Sequence, residues 1–204
     1  MRRRIRDLAT VMQGPSRSGR AIGSRAGAWV VSLVSGNNIE DDRIVVESLD
    51  AIMIQRSQGT EHHLLRPYDV VVTAKSTSLK AALVPPEIGV AIPNSTMLAI
   101  RPYDADVGLW LWWFLTSRRG RAQAEALMVA SATLFSLSPR ALAELEVPVP
   151  PSSQIRLYGQ LIQASELAHQ TAVEAAELRR NDLREYVISR LSQNGPEEDS
   201  YAPD

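Results

Sequence analysis

After Pro148, Pro150 and Pro151 the chain runs for about 40 residues with helical character, holding no proline and only Gly159 as glycine before Gly195-Pro196. At ~1.5 Å rise per residue such a helix is on the order of 60 Å long, too long to fold back inside a small domain. Tyr158, Leu161, Ser165, Ala168, Ala172 and Ala175 follow alternating steps of three and four, and Leu178, Leu183 and Val187 carry an apolar stripe onward. A seam so narrow and rich in alanine calls for a close helical partner. Residues 151–192 are therefore expected to form a dimerising or spacer helix, and residues 193–204 an acidic disordered tail.

The 204-residue chain is 45% hydrophobic, enough for one sizeable core, which places a single domain in residues 1–150. Short β-branched runs alternate there with turn-forming clusters, which is how a half-buried sheet reads. The runs predict strands at Ala28 to Val34, Arg43 to Glu47, Asp69 to Thr73, Ala81 to Val84 and Met97 to Arg101. Asp104 can cap a helix over Val107 to Met128, and Ser138-Pro139 can start a shorter one before a last strand at Leu145 to Val149. The expected class is α+β: a mainly-β domain with packed helices, followed by one long C-terminal coiled-coil-type helix.

Composition removes several functions. With no cysteine there is neither a disulfide framework nor a thiolate metal site, and a zinc finger is excluded. The apolar run Val107 to Leu115 is about half of the ~20 residues a bilayer span needs, and no apolar region follows the N-terminal arginines as in a signal peptide. The chain is expected to be cytoplasmic. Its net charge of -1 is unevenly spread: residues 1–80 carry 12 Lys/Arg against 8 Asp/Glu, and residues 151–204 carry 5 against 9. Only the basic N-terminal part is suited to a polyanion.

LRPYDVVVTAKSTSLKAALV from Leu65, AIPNSTMLAIRP from Ala91, WLWWFLTSRRGRAQ from Trp110 and ATLFSLSPRALAELEVPVPPSSQ from Ala132 together resemble, in the same order, the target recognition domain of type I restriction-modification specificity subunits. The resemblance extends over about residues 65–192 and departs in two respects. Ser76 stands where a small glycine turn is expected, and full-length members carry two target domains and two helices where this chain has one of each. The resemblance implies a non-catalytic subunit that binds double-stranded DNA, an adenine-N6 methyltransferase subunit, and in some systems a restriction/translocase subunit. A single helix with an unsatisfied seam can pair with a copy of itself, so the implied assembly is a homodimer reading a gapped palindrome. Rival readings are a DNA-binding adaptor of another phage-defence complex, and an assembly scaffold that does not bind DNA.

Two segments offer DNA chemistry. Lys75, Ser76, Thr77 and Lys80 supply ammonium and hydroxyl groups for phosphate oxygens or base edges, or else form an ordinary solvated hairpin. Arg17, Ser18, Arg20 and Arg25 lie in a Gly/Ser-rich stretch, where arginine's planar fork suits phosphate and guanine, or else form a surface loop. Arg118 and Arg119 could extend the basic surface, or simply solvate a helix end. Gly14 to Ala21 misses a P-loop because Arg20 and Ala21 replace its lysine and hydroxyl residue, and His62, His63 and His169 are not spaced as metal ligands. Trp110, Trp112, Trp113 and Phe114 read mostly as core, and Asp41, Asp42 and Glu47 as a solvated strand edge. No catalytic residue, cofactor or metal is expected.

Overall fold

The computed structural model describes residues 1–15, 28–130 and 134–193. The chain forms two compact units, residues 1–159 and 160–204. Arg17, Ser18, Arg20, Arg25 and the acidic tail after Gln193 lie outside the described residues.

In the first unit the strands are β1 (Arg2–Arg4), β2 (Ala9–Gln13), β3 (Ala28–Val34), β4 (Ile39–Glu40), β5 (Arg43–Ile44), β6 (Asp50–Gln55) and β7 (Val70–Thr73). There follow β8 (Lys75–Ser76), β9 (Ala81–Leu83), β10 (Ala91–Pro93), β11 (Met97–Pro102), β12 (Val129–Ala130), β13 (Phe135–Ser136) and β14 (Glu146–Pro148). The helices are α1 (Gln58–His62), α2 (Ala105–Thr116), α3 (Arg118–Glu125) and α4 (Pro139–Ala143); α5 (Ser152–Gln193) begins in the first unit and is the described part of the second.

The central sheet has the order β2-β11-β7-β9-β5-β4, antiparallel except between β5 and β9. Its middle departs from the half-buried pattern expected of the sequence. β7, Val-Val-Val-Thr, is buried at every position, because both faces are covered and alternation has no purpose there. Val71, Ala82, Met97 and Ala99 join a core with Met12, Val34, Ile39 and Ile44. α2 packs on β7, β9 and β11, with Leu111 and Leu115 fully buried. The alternating pattern does hold in the second sheet, β10-β3-β6, where Val31 and Ile54 are buried while the cross-strand partners Val30 and Met53 are exposed.

Two expected elements are changed by local chemistry. The strand from Arg43 stops at Ile44, and a 3-10 turn takes over at Val46–Ser48, where the Asn38 amide donates to the Ser48 carbonyl at 2.7 Å. The helix from Val107 to Met128 is two helices. Ser117 is extended (ψ 151°), and its hydroxyl caps α3 by accepting from the Gly120 amide at 3.1 Å. Gly120 permits the return: a Cβ there would lie 1.9 Å from the Phe114 carbonyl oxygen. The shorter helix α4 is capped as expected, the Ser138 hydroxyl accepting from Ala141 N with Pro139 in the first turn.

The N-terminal arginines are drawn into the fold. β1 pairs antiparallel with β14, and Arg4 and Arg6 both reach Glu144 while Arg2 faces Glu146. Across the sheet, Asp69 is 2% exposed and meets Arg101, whose Nε and Nη2 donate to its two carboxylate oxygens at 2.8 to 3.2 Å. Arg66-Pro67-Tyr68-Asp69 makes a turn with proline second and Tyr68 third at φ 70°, the pattern of a type II turn. The Asp69 carboxylate also accepts from the Arg66 amide at 3.0 Å and so holds that turn.

Candidate nucleic-acid interface

The loop from Lys75 to Lys80 leaves β7 and returns as β9, and it is fixed from inside. Leu79 is 1% exposed, and its amide donates to Glu125 Oε1 at 3.3 Å. The Thr73 hydroxyl accepts from the Lys80 amide at 3.0 Å, and the Ser76 hydroxyl bonds to the Ser78 carbonyl. Ser76 lies in the extended strand β8, so no glycine conformation is needed at this position. With its backbone so held, the loop presents Lys75, Thr77 and Ser78 outward.

Two turns distant in sequence stand beside it. The Asn94–Thr96 turn is tied on by the Thr96 carbonyl, which accepts from Ala74 N at 2.7 Å and Lys75 N at 3.2 Å. Asn94 Oδ1 in turn accepts from the Thr96 amide and hydroxyl. The Ser35–Asn37 turn is reached by Lys80, whose ammonium donates to the carbonyls of Gly36 at 3.1 Å and Ile39 at 3.0 Å. Two of the three Lys80 donors are thus used within the fold, while Lys75 keeps its ammonium in solvent. The three segments enclose an open concave surface of about 410 Å³ lined by hydroxyls, the amides Asn37 and Asn94, two lysines and Leu134. That chemistry can neutralise a phosphate and exchange hydrogen bonds with base edges. Sequence reasoning singled out the lysine loop but missed Asn37, Asn94 and Thr96, because only strand order brings them to it.

The other nominated residues fall elsewhere. The chain leaves the described residues after Pro15, beside the groove: a Cβ on Gly14 would lie 1.9 Å from the Asn94 carbonyl oxygen. Arg118 and Arg119 are exposed on the first turn of α3 and do not line the concave surface. Arg121 pairs with Asp42 at 2.8 Å. Asp41 and Asp42, both at positive φ, are the two-residue loop of the β4–β5 hairpin, a type I′ geometry, and Trp112 donates to the Asp42 carbonyl at 2.9 Å. Among the described residues no three His, Cys, Asp or Glu side chains are grouped to hold a metal. No helix among them is long and apolar enough to cross a membrane.

Of the aromatic run, Trp112 and Phe114 are buried while Trp113 is 42% exposed; Trp110 donates to the Pro148 carbonyl and stacks edge-on with Tyr158. Along α5 in the second unit, Leu161, Ser165, Ala168, Ala172 and Leu178 are exposed and Ala175 is partly buried.

No protein-family model matches the sequence, and no curated protein matches it. Solved structures do. The S subunit of a type I restriction-modification system from M. genitalium superposes with a TM-score of 0.61 at 14% identity, over 95% of this chain and 46% of that one. A chain from a study of complex assembly and conformational transition in the type I system gives 0.56 at 15% identity, over 95% and 43%. The type IIG restriction endonuclease BpuSI gives 0.58 at 9% identity, over 79% and 26%. This chain therefore spans less than half the length of each of these three solved chains.

Proposed function

We propose that this chain, which has the α+β fold and long helix of a type I S subunit, binds double-stranded DNA sequence-specifically and directs a partner enzyme to it. The observation that carries the reading is the concave surface at Lys75. An exposed ammonium, several hydroxyls and two amides converge there from three segments whose backbones are hydrogen-bonded together.

The partner is an adenine-N6 methyltransferase subunit, with a restriction/translocase subunit as a further component. Two copies pair through the seam of α5, from Tyr158 to Leu178, and read a gapped palindrome; the groove at Lys75 and Lys80 contacts each half-site, supplemented by Arg17, Ser18, Arg20, Arg25, Arg118 and Arg119. The chain itself does no chemistry on DNA. The likeness to a type IIG endonuclease favours, as a second reading, an adaptor role beside a different enzyme.

Mapping adenine methylation in cells that express a type I methyltransferase subunit, with and without this chain, tests the role. A gapped palindrome methylated on both strands only when the chain is present is expected. Methylation that is absent, or indifferent to the chain, refutes the methyltransferase reading.

In binding assays with duplex DNA, Lys75→Ala is expected to weaken matched and mismatched sequences alike. It should lower the slope of log K against log salt by about 1, the signature of one lost phosphate contact. Unchanged affinity and slope would remove Lys75 from the interface, and a salt-independent wild type would favour a scaffold.

A further inference from the structure

The hydrogen-bonding groups of the groove do not account for its apolar lining residue, Leu134. β13 lies between β12 and β8, with Phe135 directly opposite Ser76 on one side and Ala130 on the other. Directly opposed residues of antiparallel strands share a face, so the Phe135 ring stands on the same face as the Ser76 side chain of the lysine loop. Ala130 is too small to cover it, and Phe135 remains 45% exposed. Leu134, 39% exposed, lines the concave surface itself beside Lys75 and Asn94. Phe135 is not itself a lining residue of that surface, but it adjoins it through Leu134 in the chain and through Ser76 across the strands.

The major groove of B-DNA has the complementary set: phosphates at its rim, donors and acceptors on its floor, and one apolar group, the thymine 5-methyl. We infer that Phe135, flanked by Leu134, packs against the 5-methyl group of a thymine in the recognised sequence and so reads that base without a hydrogen bond. The inference rests on the groove being the DNA-binding surface and adds a chemical identity to one base within it. A hydrogen bond from lysine or arginine cannot supply this discrimination, since thymine and uracil carry the same O4 acceptor and differ only in the methyl group.

The test uses the full chain and duplexes selected by it from a randomised pool. Each thymine of the selected sequence is replaced in turn by uracil, which removes only the methyl group. At one position the replacement is expected to weaken the wild type by about fourfold, the effect of exposing one methyl-sized apolar group. Phe135→Ala should bind the thymine duplex about as weakly as wild type binds the uracil duplex and be indifferent to the replacement, with an unaltered salt slope. Phe135→Leu, which keeps an apolar side chain, should retain the preference.

Wild type indifferent to every replacement, a selected sequence without thymine, or a Phe135→Ala variant that keeps the preference would each overturn the inference and leave the DNA-binding reading standing. Failure of the chain to select any duplex would overturn both.

Discussion

Asp69→Ala is expected to lower the stability of the chain by about 3–5 kcal/mol, the usual result of removing one partner of a buried ion pair. The Arg101 side chain is only 15% exposed. Without Asp69 its guanidinium keeps, among the described residues, only the backbone carbonyls of His62 and Leu64 as acceptors. The turn at Arg66 loses its carboxylate acceptor as well, and Tyr68 must hold a positive φ without that brace. A double variant, Asp69→Ala with Arg101→Met, should recover much of the loss, since no charge is then stranded. Urea denaturation of the two single variants and the double one measures the coupling. Additive losses would show that the pair does not act as a unit.

Gly14→Ala should cost at least the ~1–3 kcal/mol typical of overpacking, and it should damage the groove as well. The added Cβ would lie 1.9 Å from the Asn94 oxygen and 2.6 Å from the Pro93 oxygen, both backbone atoms. Gly14 cannot simply withdraw, because its amide is bonded to the Met97 carbonyl at 3.0 Å. The turn at Asn94 must move instead, and with it the Thr96 carbonyl that positions Ala74 and Lys75. DNA affinity measured well below the unfolding temperature should therefore fall even where the variant is fully folded. Normal stability would show that the Asn94 turn yields freely, and normal affinity in a destabilised variant would separate that turn from the binding surface.

What could be read from the sequence follows what each segment depends on. β3 and α4 carry their own signals, apolar alternation in one and a serine-proline start in the other, and both occur where expected. β1 carries none: three consecutive arginines acquire strand character only from their partners on β14. The break at Ser117 was hidden because serine is compatible with a helix interior; its extended backbone is set by capping and by the close approach of Gly120 to Phe114. The same limit applies to the groove. The Lys75–Lys80 loop is local and visible in the sequence, whereas its pairing with Asn37, Asn94 and Phe135 depends on sheet order, which no short pattern encodes.

The antiparallel pairing of β1 with β14 also brings the backbone of Met1 within hydrogen-bond distance of Val149. Residues 1 and 149 thereby lie side by side within the first unit, so that the stretch between them is entered and left at a single doorway. Such a stretch can be spliced into another chain, or repeated in tandem, with little disturbance to its own packing.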